Sequence, residues 1–273
     1  MKKSLQYSAA CGLAVLAMSA GAARADALDN IISAGELRCS VTLDFPPIGF
    51  RDESNEPVGF DVDYCKDLAA SLGVKATIVE TPWADRVPSL ISQRADVSIA
   101  AASDTLERAQ TIGFSIPYMA YTYQVAVRKG SDIKSFDDLK GRKVATVVST
   151  TNEAFFLEAF KTWDDANGEH ISLQSEADMF LALEQGRVDA AISGSTAVAN
   201  FIKGGKYPNI DRGPDAPFPI DFVSIMASRS EYGLLRYLDL FVNRQVRSGR
   251  YAELYGKWVG GNVPALTIEN VYR

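Results

Sequence analysis

Apolar and polar positions follow a strand–helix–strand rhythm in the first third of the chain. Residues 35–42 and 75–79 are short segments that predict two strands. Between them, residues 59–73 carry apolar side chains at the three- and four-residue spacing of one helix face, with Gly73 as the C-terminal stop. This buried stripe consists of Val62, Cys65, Leu68, Ala69 and Leu72. The pattern predicts a βαβ unit.

The same rhythm returns in the middle of the chain, and the two blocks close on similar phrases at residues 92–100 and 184–192. This repetition predicts two α/β lobes of related design. The further predicted strands lie at 95–101, 124–128, 143–148, 170–173 and 190–193, and the further predicted helices lie around 86–93 and at 152–163, 177–185, 234–249 and 251–260.

The segment at residues 100–118 places Arg108 and small hydroxyl residues directly after an apolar strand. A guanidinium group holds a carboxylate through two parallel hydrogen bonds, and open α/β sheets bind ligands beyond the carboxyl ends of their strands. The segment therefore outlines a carboxylate site, with Ser103 and Thr105 nearby. The alternative is that Arg108 pairs with Glu107 or Asp104 on a solvated turn.

The first 25 residues combine a charged start, a short apolar run and an A-x-A site, which is typical of an export signal cleaved after Ala25. We therefore expect residues 26–273 to be exported, and the periplasm is the location that the resemblance described below implies. Cys11 lies inside the apolar run, so we do not interpret it as a lipid attachment site.

Charge narrows the choice of partners. The formal charge is −6, and it becomes −9 without residues 1–25, which hold three basic side chains and no acidic one. Nucleic acid is therefore not an expected partner. An anionic ligand remains compatible, because a buried arginine governs its own pocket more than distant surface charges do.

The sequence offers little for catalysis or metal binding. The one histidine, His170, opens a predicted strand and is expected at the surface. No Cys-x-x-Cys, histidine pair or glycine-rich phosphate loop is present, so we expect no metal and no cofactor. Cys39 and Cys65 lie on the first predicted strand and on the helix above it, where they form either a disulfide or two separated buried thiols.

A series of motifs resembles the periplasmic solute-binding proteins of polar amino-acid ABC transporters, the family of the lysine/arginine/ornithine, histidine and glutamine receptors. In chain order the motifs are GELR at 35–38 with FPPIGF at 45–50, GFDVD at 59–63, TPW at 81–83, PSL at 88–90, TLER at 105–108, FSIPY at 114–118, DLKG at 138–141, TTNEA at 150–154 and KWVG at 257–260. Each is weak alone, but together they cover nearly the whole chain after residue 25.

The resemblance implies a two-lobed α/β periplasmic binding protein fold of type II, whose two hinge strands cross near residues 123–128 and 220–226. Residues 26–125 and 224–273 then form a discontinuous first lobe, and residues 126–223 form the second. It also implies a monomer that delivers its ligand to an inner-membrane ABC permease.

The resemblance also implies a set of binding residues. Phe45 and Trp83 would sandwich the ligand from above and below, and Arg108 with Ser103 would hold its carboxylate. The second lobe would contribute the start of a helix, where free N–H groups favour an anion. Its residues are Thr150, Thr151 and Asn152. Arg108 and Thr151 would meet on one carboxylate, so that the ligand closes the lobes.

The chain departs from the family pattern at the amine end. Gly194 stands where the family places an aspartate for the α-ammonium group, and Thr42 stands where receptors for cationic side chains carry an aspartate. A standard lysine or arginine receptor is therefore disfavoured. Three explanations stay open: another residue binds the amine, the amine is substituted as in an opine, or the ligand has no amine. The candidates for the first are Ser193, Ser195 and Asp104.

The sequence thus predicts a non-enzymatic import receptor for an amino acid or a related small carboxylate. The alternatives are a periplasmic dehydratase-like enzyme and a sensor or accessory module, each built on the same fold.

Overall fold

The computed structural model describes residues 26–163, 167–264 and 266. The predicted export signal at 1–25 lies outside the described residues. Within these ranges, no helix combines the length and hydropathy that a membrane span requires.

The elements alternate between strand and helix along most of the chain. The strands are β1 (Glu36–Val41), β2 (Asp44–Phe45), β3 (Gly49–Arg51), β4 (Pro57–Val58), β5 (Lys75–Glu80), β6 (Val97–Ser98), β7 (Ile112–Arg128), β8 (Lys143–Val147), β9 (Glu169–Leu173), β10 (Ala190–Gly194) and β11 (Ile210–Ser228). The α-helices are α1 (Ala27–Ala34), α2 (Phe60–Leu72), α3 (Arg86–Ile91), α4 (Leu106–Ala109), α5 (Thr151–Thr162), α6 (Glu176–Glu184), α7 (Ser195–Lys203), α8 (Tyr232–Arg247) and α9 (Arg250–Trp258). Short 3₁₀ helices occupy Trp83–Asp85 and Phe136–Leu139.

Eight strands form one sheet in the order β5-β1-β6-β11-β7-β10-β8-β9, and β2, β3 and β4 form a small second sheet. At one end β1 pairs in parallel with β5 and β6, and at the other end β8 pairs in parallel with β9 and β10. We call β1–β6 with α1–α4, α8 and α9 the first lobe, and β8–β10 with α5–α7 the second lobe. This is the predicted α/β architecture.

Two long antiparallel strands join the lobes. β7 has 17 residues and β11 has 19, and both contain the predicted crossings at 123–128 and 220–226. The pattern predicted only residues 124–128 of β7, because its first half contains Gly113 and Pro117, which are not typical of a strand interior. The residue boundaries assigned to the lobes stay a prediction.

The predicted βαβ unit is present, and α2 packs over β1. Gly73 ends α2 with a φ of 71°, the left-handed conformation that glycine adopts without steric cost. Cys39 on β1 and Cys65 on α2 form a disulfide with a Cα–Cα distance of 6.3 Å. Of the two alternatives for these cysteines, the disulfide is therefore the one that the structure contains.

The disulfide closes a loop between residues that are 26 positions apart. Because such a cross-link restricts the unfolded chain, we expect Cys39→Ser with Cys65→Ser to lower the free energy of unfolding by about 2–4 kcal/mol. Urea unfolding of the two proteins measures this difference. In protein lacking residues 1–25, denatured without reductant, two reactive thiols would contradict the bond.

Candidate functional site

A cleft lies between the two lobes, and the space inside it, including its opening, is about 350 Å³. Six of the seven predicted binding residues line it: Phe45, Trp83, Ser103, Thr150, Thr151 and Asn152. Arg108 lies next to the cleft, where its guanidinium group is bonded to one of the lining residues. The predicted residues thus come together from four separate parts of the sequence.

The aromatic wall differs from the predicted sandwich. Phe45 and Trp83 are both buried, and their rings contact each other edge to face with centroids 5.2 Å apart. Tyr121 adds a second edge-to-face contact on Phe45 at 5.9 Å. In this arrangement the rings form one apolar wall and leave no slot between them.

Arg108 donates hydrogen bonds to main-chain carbonyls of both lobes. Thr105 caps the short helix α4 and positions the arginine, whose Nη1 donates to the Ser103 carbonyl at 3.0 Å. Its Nη2 donates to the Ser149 carbonyl of the second lobe at 2.9 Å. Burial lowers the pKa of Arg108, and the negative charge of Asp221 opposes that shift.

Arg86 is a second arginine in the cleft, and the sequence analysis missed it. Only 4 % of it is exposed, and its Nη2 also donates to the Ser149 carbonyl, at 2.8 Å. Its Nε and Nη1 donate to the carbonyls of Trp83, Ala100 and Ala101. Burial, then the charge of Arg108, lowers its pKa to about 9. An arginine three residues after an aromatic cleft residue was the available signal.

Among the described residues, neither Arg86 nor Arg108 has a carboxylate oxygen within 4.0 Å. The alternative that pairs Arg108 with Glu107 or Asp104 is therefore not what the structure shows. Both guanidinium groups are bonded to neutral main-chain carbonyls. The cleft consequently holds two positive charges without a contacting negative partner in this part of the chain.

The three predicted residues at the start of α5 have different tasks. Thr150 caps the helix, accepting a bond from the amide of its third residue. Asn152 donates from Nδ2 to the Ile192 carbonyl at 2.7 Å, which fixes α5 to β10. Thr151 alone reaches across the cleft, where its hydroxyl donates to Ser103 Oγ at 2.5 Å.

Asp221, on the hinge strand β11, joins the same network. Its Oδ2 accepts bonds from Ser103 Oγ at 2.8 Å and from the Tyr123 hydroxyl at 2.7 Å. Burial raises the pKa of Asp221, while these two bonds and the charges of Arg108 and Arg86 oppose the rise. Asp221 was not predicted as a site residue, because nothing in its strand distinguishes it from a solvated hinge residue.

A buried acidic residue of the second lobe also lines the cleft. Glu176, the first residue of α6, lines the cleft with 2 % of its surface exposed and accepts from Ser193 Oγ at 2.8 Å. Burial, then the charge of Asp44, raises the pKa of Glu176 well above its ordinary value. Glu176 was also missed, because an acidic residue in the first turn of a helix usually serves the helix dipole at the surface.

The glycine at position 194 leaves room for the Phe45 ring, and it also removes the carboxyl group that the family places there. A Cβ at this position would lie 3.3 Å from Cζ of Phe45, so an aspartate would require the ring to move. Of the three residues proposed to bind an amine in its place, Ser193 lines the cleft. Ser195 is hydrogen-bonded to Thr122, and Asp104 accepts from Ser224 outside the lining.

His170 is less exposed than expected. Its side chain is 13 % exposed, and its Nε2 lies 2.8 Å from Thr146 Oγ1 and 3.9 Å from Glu153. Burial lowers the pKa of His170. Among residues 26–163, 167–264 and 266, no group of three or more His, Cys, Asp or Glu side chains is arranged to hold a metal.

Asp61 does not line the cleft but holds the backbone of a residue that does. It is buried on α2, and its carboxyl oxygens accept from the Ala101 amide at 3.1 Å and the Tyr118 hydroxyl at 2.9 Å. Ala101 lines the cleft with a φ of 45°, so the bond from Asp61 stabilises an uncommon backbone conformation. Burial raises the pKa of Asp61 to about 7, although both hydrogen bonds oppose the rise.

Comparison with known proteins identifies the family. A sequence model of the bacterial extracellular solute-binding proteins, family 3, matches residues 37–261. A probable histidine-binding protein of Neisseria gonorrhoeae is 26 % identical over 260 residues, which cover 94 % of this chain and 96 % of the relative.

Solved structures agree in fold. An ancestral arginine-binding protein bound to arginine has a TM-score of 0.78 and 31 % identity, and the match covers 83 % of this chain and 99 % of that one. The cysteine-binding protein from Campylobacter jejuni has a TM-score of 0.80 and 26 % identity, with 90 % and 96 % covered. The chain belongs to the family 3 solute-binding proteins, so it is a binding protein and not an enzyme.

The raised pKa of Asp61 generates a prediction about pH. Its pKa is about 7 in the folded protein and 3.8 ordinarily, so folding favours the protonated carboxyl and the protein loses stability as pH rises between these values. Asp61→Asn stays neutral. Between pH 5 and 7, the free energy of unfolding of this variant should therefore fall by about 1–3 kcal/mol less than that of the unmodified protein.

Urea unfolding of both proteins at several pH values measures this difference. Asp137→Asn, at an exposed position, is the matched control and should follow the unmodified protein. Parallel pH curves for the unmodified protein and Asp61→Asn would contradict the assignment.

Proposed function

We propose that this solute-binding protein captures an amino acid, or a closely related small carboxylate, in the cleft between its lobes. One observation carries the proposal. Two guanidinium groups, those of Arg86 and Arg108, meet at the cleft and are bonded to neutral carbonyls, with no carboxylate in contact among the described residues. Asp221 acts on both groups without contacting either, and two buried positive charges beside this one carboxylate favour an anionic ligand.

The names of the relatives support the same class of ligand. The relatives described above are a probable histidine-binding, an arginine-binding and a cysteine-binding protein, all receptors for small molecules with an α-carboxylate. Arg108 is the proposed carboxylate anchor. Thr151 and Ser103 supply hydroxyl groups, and the buried wall of Phe45 and Trp83 suits the apolar part of the ligand.

The proposed mechanism is closure of the lobes around the ligand. The contacts that span the cleft, from Thr151 to Ser103 and from the two arginines to the Ser149 carbonyl, surround the space that the ligand would occupy. A ligand that touches both lobes shifts the hinge equilibrium by its difference in affinity for the closed and open states.

The transport context is part of the proposal. The closed form would be presented, as a monomer, to an inner-membrane ABC permease that imports the ligand. The family is extracellular by description, and removal of residues 1–25 after Ala25 would place the mature receptor in the periplasm.

A thermal-shift screen of the standard L-amino acids, L-cystine, opines and simple carboxylates tests the ligand class. An amino acid present at about 100 times its dissociation constant should stabilise the protein by about 2.7 kcal/mol. Stabilisation by none of the amino acids would contradict the proposal.

Calorimetry with Arg108→Ala tests the anchor. Losing one partner of a buried charged contact costs about 2–5 kcal/mol, so the variant should bind the amino acids found by the screen well over tenfold more weakly. Arg187→Ala, at an exposed position on the second lobe, is the control and should bind like the unmodified protein. Unchanged affinity in Arg108→Ala would exclude Arg108 as the anchor.

A further inference from the structure

Two carboxyl groups from opposite lobes meet beside the cleft, and of the two Glu176 lines it. Asp44 lies on β2 of the first lobe and Glu176 begins α6 of the second lobe, and the Glu176 amide donates to Asp44 Oδ2 at 2.9 Å. Glu176 Oε2 and Asp44 Oδ1 are buried and have no hydrogen-bond partner among the described residues. Burial raises the pKa of Asp44, and the neighbouring Trp83 indole opposes this rise, but Trp83 Nε1 also lies outside hydrogen-bonding geometry.

These two oxygens destabilise the folded protein when neither a proton nor a cation is bound to them. In the part of the chain that the structure describes, no Lys, Arg or His nitrogen lies within 4.0 Å of either carboxyl group. A buried carboxylate oxygen that lacks a donor costs free energy, and two neighbouring carboxylates repel each other when both are ionised. The pair is therefore incomplete until a proton or a cation joins it.

The position of Glu176 suggests which cation. Its Oε1 accepts from Ser193, the residue directly before Gly194, and Glu176 lines the same cleft as Arg86. The cleft thus carries the two guanidinium groups and the Asp221 carboxyl around Ser103 and Ser149, and the Glu176 carboxyl at Ser193. An amino acid would place its carboxylate at the arginines and its amine at Glu176, whose Oε2 lacks a donor.

We propose that Glu176, with Asp44 beside it, binds the free ammonium group of an amino acid. The ammonium would donate to Glu176 Oε2 and Asp44 Oδ1, the two oxygens that lack donors. Because these residues belong to different lobes, the amine would hold the cleft closed at this end. The inference rests on the proposed function and narrows it to ligands with an unblocked amine, which leaves out N-substituted and amine-free acids.

Three matched pairs of small molecules serve as probes: L-histidine with 3-(imidazol-4-yl)propionate, L-arginine with 5-guanidinopentanoate and L-cysteine with 3-mercaptopropionate. In each pair only the α-amine differs. Calorimetry of the unmodified protein should show that each amino acid which binds does so about ten- to a hundredfold more tightly than its partner.

Glu176→Gln keeps the size of the side chain and removes its negative charge. This preference for the amine should fall by about tenfold or more in the variant, while affinity for the amine-free partner stays within about threefold. Asp44→Asn should reduce the preference in the same direction. Glu53→Gln, in an exposed loop, is the control, and circular dichroism with thermal unfolding checks that each variant is folded.

The outcomes separate the two proposals. An undiminished preference in Glu176→Gln would overturn the role of Glu176 and leave the amino-acid receptor intact. Equal binding of both members of a pair by the unmodified protein would overturn the ammonium site but keep a carboxylate receptor. Binding of none of the six probes and of no amino acid in the wider screen would overturn the proposed function, and the ammonium site with it.

Discussion

Two guanidinium groups from one lobe meet on a single carbonyl oxygen of the other, and the arrangement of the cleft depends on this contact. Arg86 and Arg108 both donate to Ser149, whose φ of 61° is uncommon for a residue with a side chain. The neutral carbonyl receives the hydrogen bonds but cannot neutralise two positive charges. The contact therefore joins the lobes, and it leaves two buried positive charges that favour an anion between them.

A second group of residues, at Glu176, favours a cation. Asp44 and Glu176 are linked through a main-chain amide, which satisfies one oxygen and leaves the pair without a cation among the described residues. Gly194 belongs to the same design, since an aspartate there would crowd the Phe45 ring. The carboxyl group needed for an amine comes instead from Glu176, held by the adjacent Ser193. A ligand that interacts with both the arginines and this carboxyl pair carries a carboxylate and an amine, as an amino acid does.

Much of this could be predicted from the sequence. The α/β lobes follow from hydrophobic periodicity, and Ser103, Thr151 and the aromatic wall follow from motifs in register. Glu176 could not be found in this way, because a charged residue in the first turn of a helix has the same local pattern whether it faces solvent or a cleft. Arg86 has the same ambiguity, and its spacing from Trp83 was the one signal that pointed to the cleft. The edge-to-face contact of Phe45 with Trp83 depends on distances that no local pattern contains. The same is true of the Cys39–Cys65 bond, since bridging depends on a Cα separation that the sequence leaves open.

The central claim is that the cleft holds a molecule with both a carboxylate and a free amine. Native mass spectrometry of the protein, after equilibration with a mixture of amino acids and their deaminated counterparts, tests it most directly. The account predicts one retained molecule per chain, with the mass of an amino acid. Retention of a deaminated acid in its place, or of nothing from the mixture, would contradict it.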